Sequence, residues 1–203
     1  MAESTTQGSD TVRATYQDVL AAPAHRVAEV IDGTLNLSPR PSPREALAAM
    51  RLRGVLAAFD ELQGGRNRDA GREGDSESPD RRWWIIREPE LHLGEDIVVP
   101  DWVGWRRERM PELPETAYVT LRPDWVCEIL SDSRRRLELN DKRTVYAREG
   151  VEHLWLVDLA ARTIEAFELR EGEWALVASA KDDAQVSIRP FEAIKVNLGE
   201  LWR

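Results

Sequence analysis

The stretch Pro123-Asp124-Trp125-Val126-Cys127-Glu128-Ile129-Leu130-Ser131 decides the fold. Residues 125–130 are apolar on both faces apart from Glu128, as expected of a central strand in a sheet covered on both sides. Strand alternation puts Glu128 on the same face as Val126 and Leu130, and burying an unpaired carboxylate costs several kcal/mol. A compensating partner is therefore required. Asp101 poses the same problem, because it follows Ile97-Val98-Val99-Pro100 and precedes Trp102-Val103. A shared Mg²⁺ or Mn²⁺ ion resolves both, since such hard cations are often held by one or two carboxylates with water completing the octahedron. The competing expectation is that each acid merely ends its strand at the surface.

Downstream, Ser133 can cap a helix over 134–149 that Gly150 is placed to end. On it Lys142 lies three residues after Leu139 and four before Tyr146, so it shares the stripe that faces the protein. Its ammonium can then point at the carboxylates and act on an attacking water or on charge developing at a phosphate. The alternative is an exposed i,i+4 pair with Glu138.

Upstream, Thr15 and Asp18 open a short helix that Pro23 ends. Asp32-Gly33 between Arg26–Ile31 and Thr34–Leu37 marks a hairpin. Ser42, Pro43 and Glu45 form a capping box for a helix expected to run to about Leu62, with Leu47, Met50, Val55, Phe59 and Leu62 as its buried face. Residues 64–82 are too polar to bury much apolar area and form an expected mobile loop. Strand patterns follow at Trp83–Arg87, Glu90–Leu93 and Ile97–Val99, expected to form a meander, and later at His153–Val157, Thr163–Leu169 and Trp174–Ala180. Residues 106–118, with Pro111 and Pro114, form a connection, and Leu198–Trp202 a short terminal helix. The sum is a mixed α/β (α+β) chain: one domain over 15–203 behind a disordered leader, 1–14.

The 203 residues suffice for one substantial core. With a single cysteine no intramolecular disulfide is possible, and Cys127 is expected to be buried and inert in a reducing cytoplasm. No stretch approaches a membrane span or a signal peptide, so neither membrane association nor export is expected. His25, His92 and His153 lack zinc-site spacing, no phosphate-binding glycine pattern occurs, and Ser131 and Ser133 lack a nucleophile-elbow setting. A formal net charge of −9 disfavours non-specific binding to phosphate backbones. Arginine clusters at 51–53, 106–109 and 134–136 can still act as local patches. The eight Trp are scattered and are expected mainly in the core.

Taken in order, Glu29-Val30-Ile31-Asp32-Gly33, Val99-Pro100-Asp101, Pro123 to Ser131, Asp141-Lys142-Arg143, Tyr146 to Val151 and Leu154 to Asp158 resemble the Uma-type family of restriction endonucleases. That family belongs to the PD-(D/E)XK nuclease-like superfamily, and the resemblance covers residues 15–202. It implies a restriction-endonuclease-like core, a mixed β-sheet flanked by helices, with a Mg²⁺-type site at one end. It also implies Asp101 as the aspartate of the PD element, Glu128 as the second metal-binding acid and Glu29 as a supporting acid. Leu130 occupies the usual lysine position of E-x-K, and Lys142 is the displaced equivalent. Glu45 stands where relatives often have histidine, and Asp132 where proline often follows the serine. The implied activity is metal-dependent hydrolysis of nucleic-acid phosphodiesters, with DNA the expected substrate and a homodimer the expected assembly. A catalytically silent nuclease fold serving as a binding or assembly module is the alternative.

Overall fold

The computed structural model describes residues 12–57, 59, 83–131, 137–193 and 195–203. Most of the expected leader, the whole 64–82 segment, Asp132 and the Ser133 cap lie outside the described residues.

The local signals at the N-terminal end act as their chemistry requires. Helix α1 (Tyr16–Leu20) carries a Thr15/Asp18 capping box. Strands β1 (Arg26–Ile31) and β2 (Thr34–Pro39) pair antiparallel from Arg26↔Pro39 to Ile31↔Thr34. Asp32 and Gly33, at φ 51° and 77°, supply the two left-handed residues of a type I′ turn.

Helix α2 (Pro43–Leu56) starts at the expected box, with Ser42 Oγ accepting from the Glu45 amide and the Glu45 carboxylate accepting from the Ser42 amide. It ends at Leu56 rather than near Leu62, and its inner face is Ala48, Ala49, Leu52 and Leu56. Leu47 and Met50 are exposed. Alanines let the helix approach its neighbours closely, and burying Leu52 and Leu56 contributes roughly 2 kcal/mol each, so the small-residue stripe prevails over the larger apolar side chains.

The expected meander divides instead between two mixed sheets. Strand β3 (Trp83–Arg87) pairs with β6 (Trp102–Arg106), whereas β4 (Glu90–Leu93) and β5 (Asp96–Val98) form a hairpin beside β1. The five-stranded sheet, β2-β1-β5-β4-β7, is completed by Tyr118–Val119 as β7. The six-stranded sheet runs β11-β10-β9-β8-β6-β3, with β8 (Trp125–Leu130), β9 (His153–Asp158), β10 (Thr163–Arg170) and β11 (Glu173–Lys181). A ribbon of β12 (Gln185–Val186) and β13 (Val196–Asn197) and a terminal helix (Gly199–Trp202) complete the chain.

Every residue of β8 is buried, as the sequence requires. One face, Trp125, Cys127 and Ile129, packs with α2 residues, Trp155 and Phe191. The other, Val126 and Leu130, packs with Val145, Tyr146 and Leu154. Glu128 is on that second face. Between β8 and β9 lie a π-helical turn (Leu137–Lys142) and helix α3 (Arg143–Arg148), where one regular helix was expected. Arg148 pairs with Asp32 and with buried Asp96, tying α3 to the five-stranded sheet. Among the described residues no helix is long and apolar enough to cross a membrane.

Candidate active site

The chain passes from one sheet to the other at Val99-Pro100-Asp101, between β5 and β6. The β6–β8 register pairs Trp102 with Cys127, and one further step sets Asp101 opposite Glu128. Asp101 Oδ2 accepts the Ile129 amide at 2.6 Å, which fixes its carboxylate against β8. Asp101 and Glu128 are 5% and 0% exposed, so neither merely ends a strand at the surface.

Glu29 arrives from the other sheet. Its Oε1 accepts the Val99 amide at 2.8 Å and lies 3.1 Å from Lys142 Nζ. Lys142 Nζ is also 2.7 Å from Glu128 Oε1 and donates to the Val99 carbonyl at 3.0 Å. With 1% exposure it is no surface partner of a neighbouring helical residue. The four residues Glu29, Asp101, Glu128 and Lys142 are thus brought together, and Leu130, in the E-x-K lysine position, is packed in the core instead. Glu45 serves as a helix cap.

Tyr146, noted in the sequence only for sharing a stripe with Lys142, is a fifth member. Its hydroxyl donates to Glu128 Oε1 at 2.5 Å. Burial holds its ionisation well above the usual phenol range, with the charge and hydrogen bond of Glu128 and the charges of Glu29 and Asp101 adding to the effect. It is therefore a neutral donor at physiological pH. The i,i+4 spacing from Lys142 was the available signal. Cys127, on the opposite face of β8, is held well above the usual thiol range by burial and then by Asp101 and Glu128, and is inert.

Two donors therefore converge on Glu128 Oε1, while Oε2 is buried without a hydrogen-bond partner among the described residues. Leaving such an oxygen unpaired costs about 1–3 kcal/mol or more for a charged group. Among the described residues no three His, Cys, Asp or Glu side chains form a ready metal cage. Two carboxylates and water are nevertheless a sufficient donor set for Mg²⁺. The orphaned oxygen of Glu128, with Asp101 fixed opposite, fits that ion.

Two mixed sheets sharing one acidic junction, with the lysine supplied by the π-helical turn between β8 and β9, place the fold in the restriction-endonuclease-like class. The chain belongs to the Uma2 family, whose model, described as "Putative restriction endonuclease", matches residues 14–199. It is similar in structure to "a putative nuclease belonging to DUF820" from Anabaena variabilis ATCC 29413. The TM-score is 0.65 at 18% identity, covering 93% of this chain and 97% of that one. No curated protein matches the chain in sequence.

Proposed function

We propose that the chain is a metal-dependent nuclease that hydrolyses phosphodiester bonds of nucleic acid, with DNA as substrate. The observation that carries the proposal is the buried, unpartnered Oε2 of Glu128 beside Asp101. Family membership supports the nuclease class. Asp101 and Glu128 would hold Mg²⁺ or Mn²⁺, which when bound supplies an activated water and stabilises charge on the phosphate and leaving oxygen.

The chain's own groups set the geometry around that chemistry. Lys142 and Tyr146 pin Oε1, so Glu128 presents Oε2. Glu29 holds Lys142 in place and buttresses Val99, next to the Pro100-Asp101 turn. The Lys142 ammonium lies beside Glu29 and Glu128, where it can counter charge on a phosphate and donate a proton from its Nζ.

Cleavage of a mixed DNA and RNA panel, with and without Mg²⁺, by wild type and Asp101→Ala tests the proposal. Metal-dependent cleavage by wild type alone is expected. A second reading, a silent binding module, draws on the net charge of −9. It prevails if neither protein cleaves while wild type still binds nucleic acid. The proposal also carries a homodimer, with exposed Leu176 on edge strand β11 as one unpaired surface. A light-scattering mass near 23.1 kDa across micromolar concentrations contradicts that assembly.

A further inference from the structure

A chain of net charge −9 that acts on nucleic acid needs a local surface where phosphate charge is welcome. Beside the acidic junction lies a groove of about 260 Å³ whose wall includes Arg26, Val27, Arg40, Glu88, Glu90 and Val99. Val99 is the residue whose amide binds Glu29 and whose carbonyl binds Lys142, so groove and junction share a wall.

The two acids in that wall are already engaged. Glu88 binds the Arg87 guanidinium at 2.8 Å, and Glu90 lies 2.7 Å from His92 Nε2. The two arginines have no such ionic partner among the described residues. Arg40 donates to the Ala24 carbonyl at 3.2 Å, and neither Arg26 nor Arg40 forms an ion pair with a carboxylate among the described residues. Both are exposed and stand together, because Arg26 pairs with Pro39 at the open end of the β1–β2 hairpin and Arg40 follows. Arg26 opens the same strand that carries Glu29.

We propose that this groove binds the phosphodiester backbone of the substrate strand flanking the scissile bond, with Arg26 and Arg40 contacting its phosphates. The proposal rests on the nuclease reading above but adds a site outside the acidic junction. These contacts position the strand without reading its bases.

Fluorescence polarisation of labelled duplex and single-stranded DNA against the full chain carrying Asp101→Ala, which removes cleavage, provides the test. Adding Arg26→Gln and Arg40→Gln should weaken binding at least tenfold and reduce the slope of log affinity against log salt by about 1.4–1.8, roughly 0.7–0.9 per lost phosphate contact. Arg26→Glu with Arg40→Glu should abolish binding. In an otherwise wild-type chain, the double Gln variant should keep wild-type Mg²⁺ affinity by calorimetry and raise KM more than it lowers kcat. If DNA binds with the same affinity and salt slope whether or not the arginines are present, the groove assignment falls and the nuclease reading stands. If wild type neither binds nor cleaves nucleic acid, both fall together.

Discussion

Strand β8 has a buried carboxylate near each end of its buried run, and the two are treated differently. Asp124, just before the strand, is 1% exposed, and both its oxygens are satisfied. Oδ1 accepts from Arg109 at 2.6 Å and Oδ2 from the Arg106 amide at 2.7 Å. Glu128 is 0% exposed, with two donors on Oε1 and, among the described residues, none on Oε2. A fully satisfied buried acid is accounted for by structure alone, whereas an orphaned buried oxygen calls for an explanation. On the proposed function, the difference separates an acid that holds the fold from an acid that holds a metal ion.

The largest effect is expected from removing the cation that serves the Glu128 end. Lys142→Met leaves Glu29 and Glu128 buried without their shared partner, a change worth about 3–5 kcal/mol in the metal-free protein. Chemical denaturation should show that loss, and Mg²⁺ should restore more stability to the variant than it gives wild type. Turnover should fall by roughly 10²-fold or more even with metal bound. Lys142→Arg should rescue little, because a planar, permanently charged guanidinium does not fit a compact ammonium site. Equal turnover in the Met variant would remove Lys142 from the chemistry.

At the other end, Asp124→Asn leaves Arg109 without its carboxylate. The arginine is 28% exposed and can recover some hydration, so the cost is smaller, about 2–3 kcal/mol. Here Mg²⁺ should restore nothing beyond its wild-type increment, and metal affinity should be unchanged. A variant whose metal affinity also collapses would erase the distinction between the two acids.

Tyr146→Phe removes one of the two donors that pin Oε1. It should weaken Mg²⁺ binding about tenfold, near the scale of one hydrogen bond to a charged group, while leaving the far-ultraviolet circular dichroism unchanged. Unchanged metal affinity would leave Lys142 as the sole positioning group.

The smallest effect belongs again to the Asp124 end, where the His153 amide donates to the Asp124 carbonyl. Burial holds the His153 imidazole below its ordinary value of 6.5. On acidification the unfolded chain therefore takes up this proton first, and stability falls as pH drops below about 6.5. His153→Gln should flatten that part of the stability curve by under about 1 kcal/mol, with Mg²⁺ affinity at neutral pH unaffected. An unaltered curve would show that His153 titrates alike in both states.

Much of this contrast was legible from residues alone. The alternation of 125–130 marks both the central strand and the face of Glu128, and the Asp32-Gly33 turn and the Ser42 box fix local conformations through short-range chemistry. The positions of Asp101 and Lys142 on either side of β8 followed from the same patterns together with the family resemblance. Other features depend on tertiary context. Asp101 looks like a strand terminus in sequence, but the chain re-enters a strand at Trp102 in the other sheet. The inner face of α2 is chosen by how closely alanines approach the core, which hydrophobic periodicity does not weigh. The satisfaction of Asp124 and the orphaning of Glu128 involve partners 14 to 18 residues away, so only the folded chain reveals them.

On the proposed function, Glu128 Oε2 is kept unpaired for a divalent cation. Isothermal titration of Mg²⁺ or Mn²⁺ into wild type and Glu128→Gln, with Tm recorded alongside, checks this. Wild type should bind saturably at millimolar metal or below with a raised Tm, and a folded Glu128→Gln protein should show neither. No binding by wild type at millimolar metal, or equal binding by the two proteins, would show that Oε2 holds no cation.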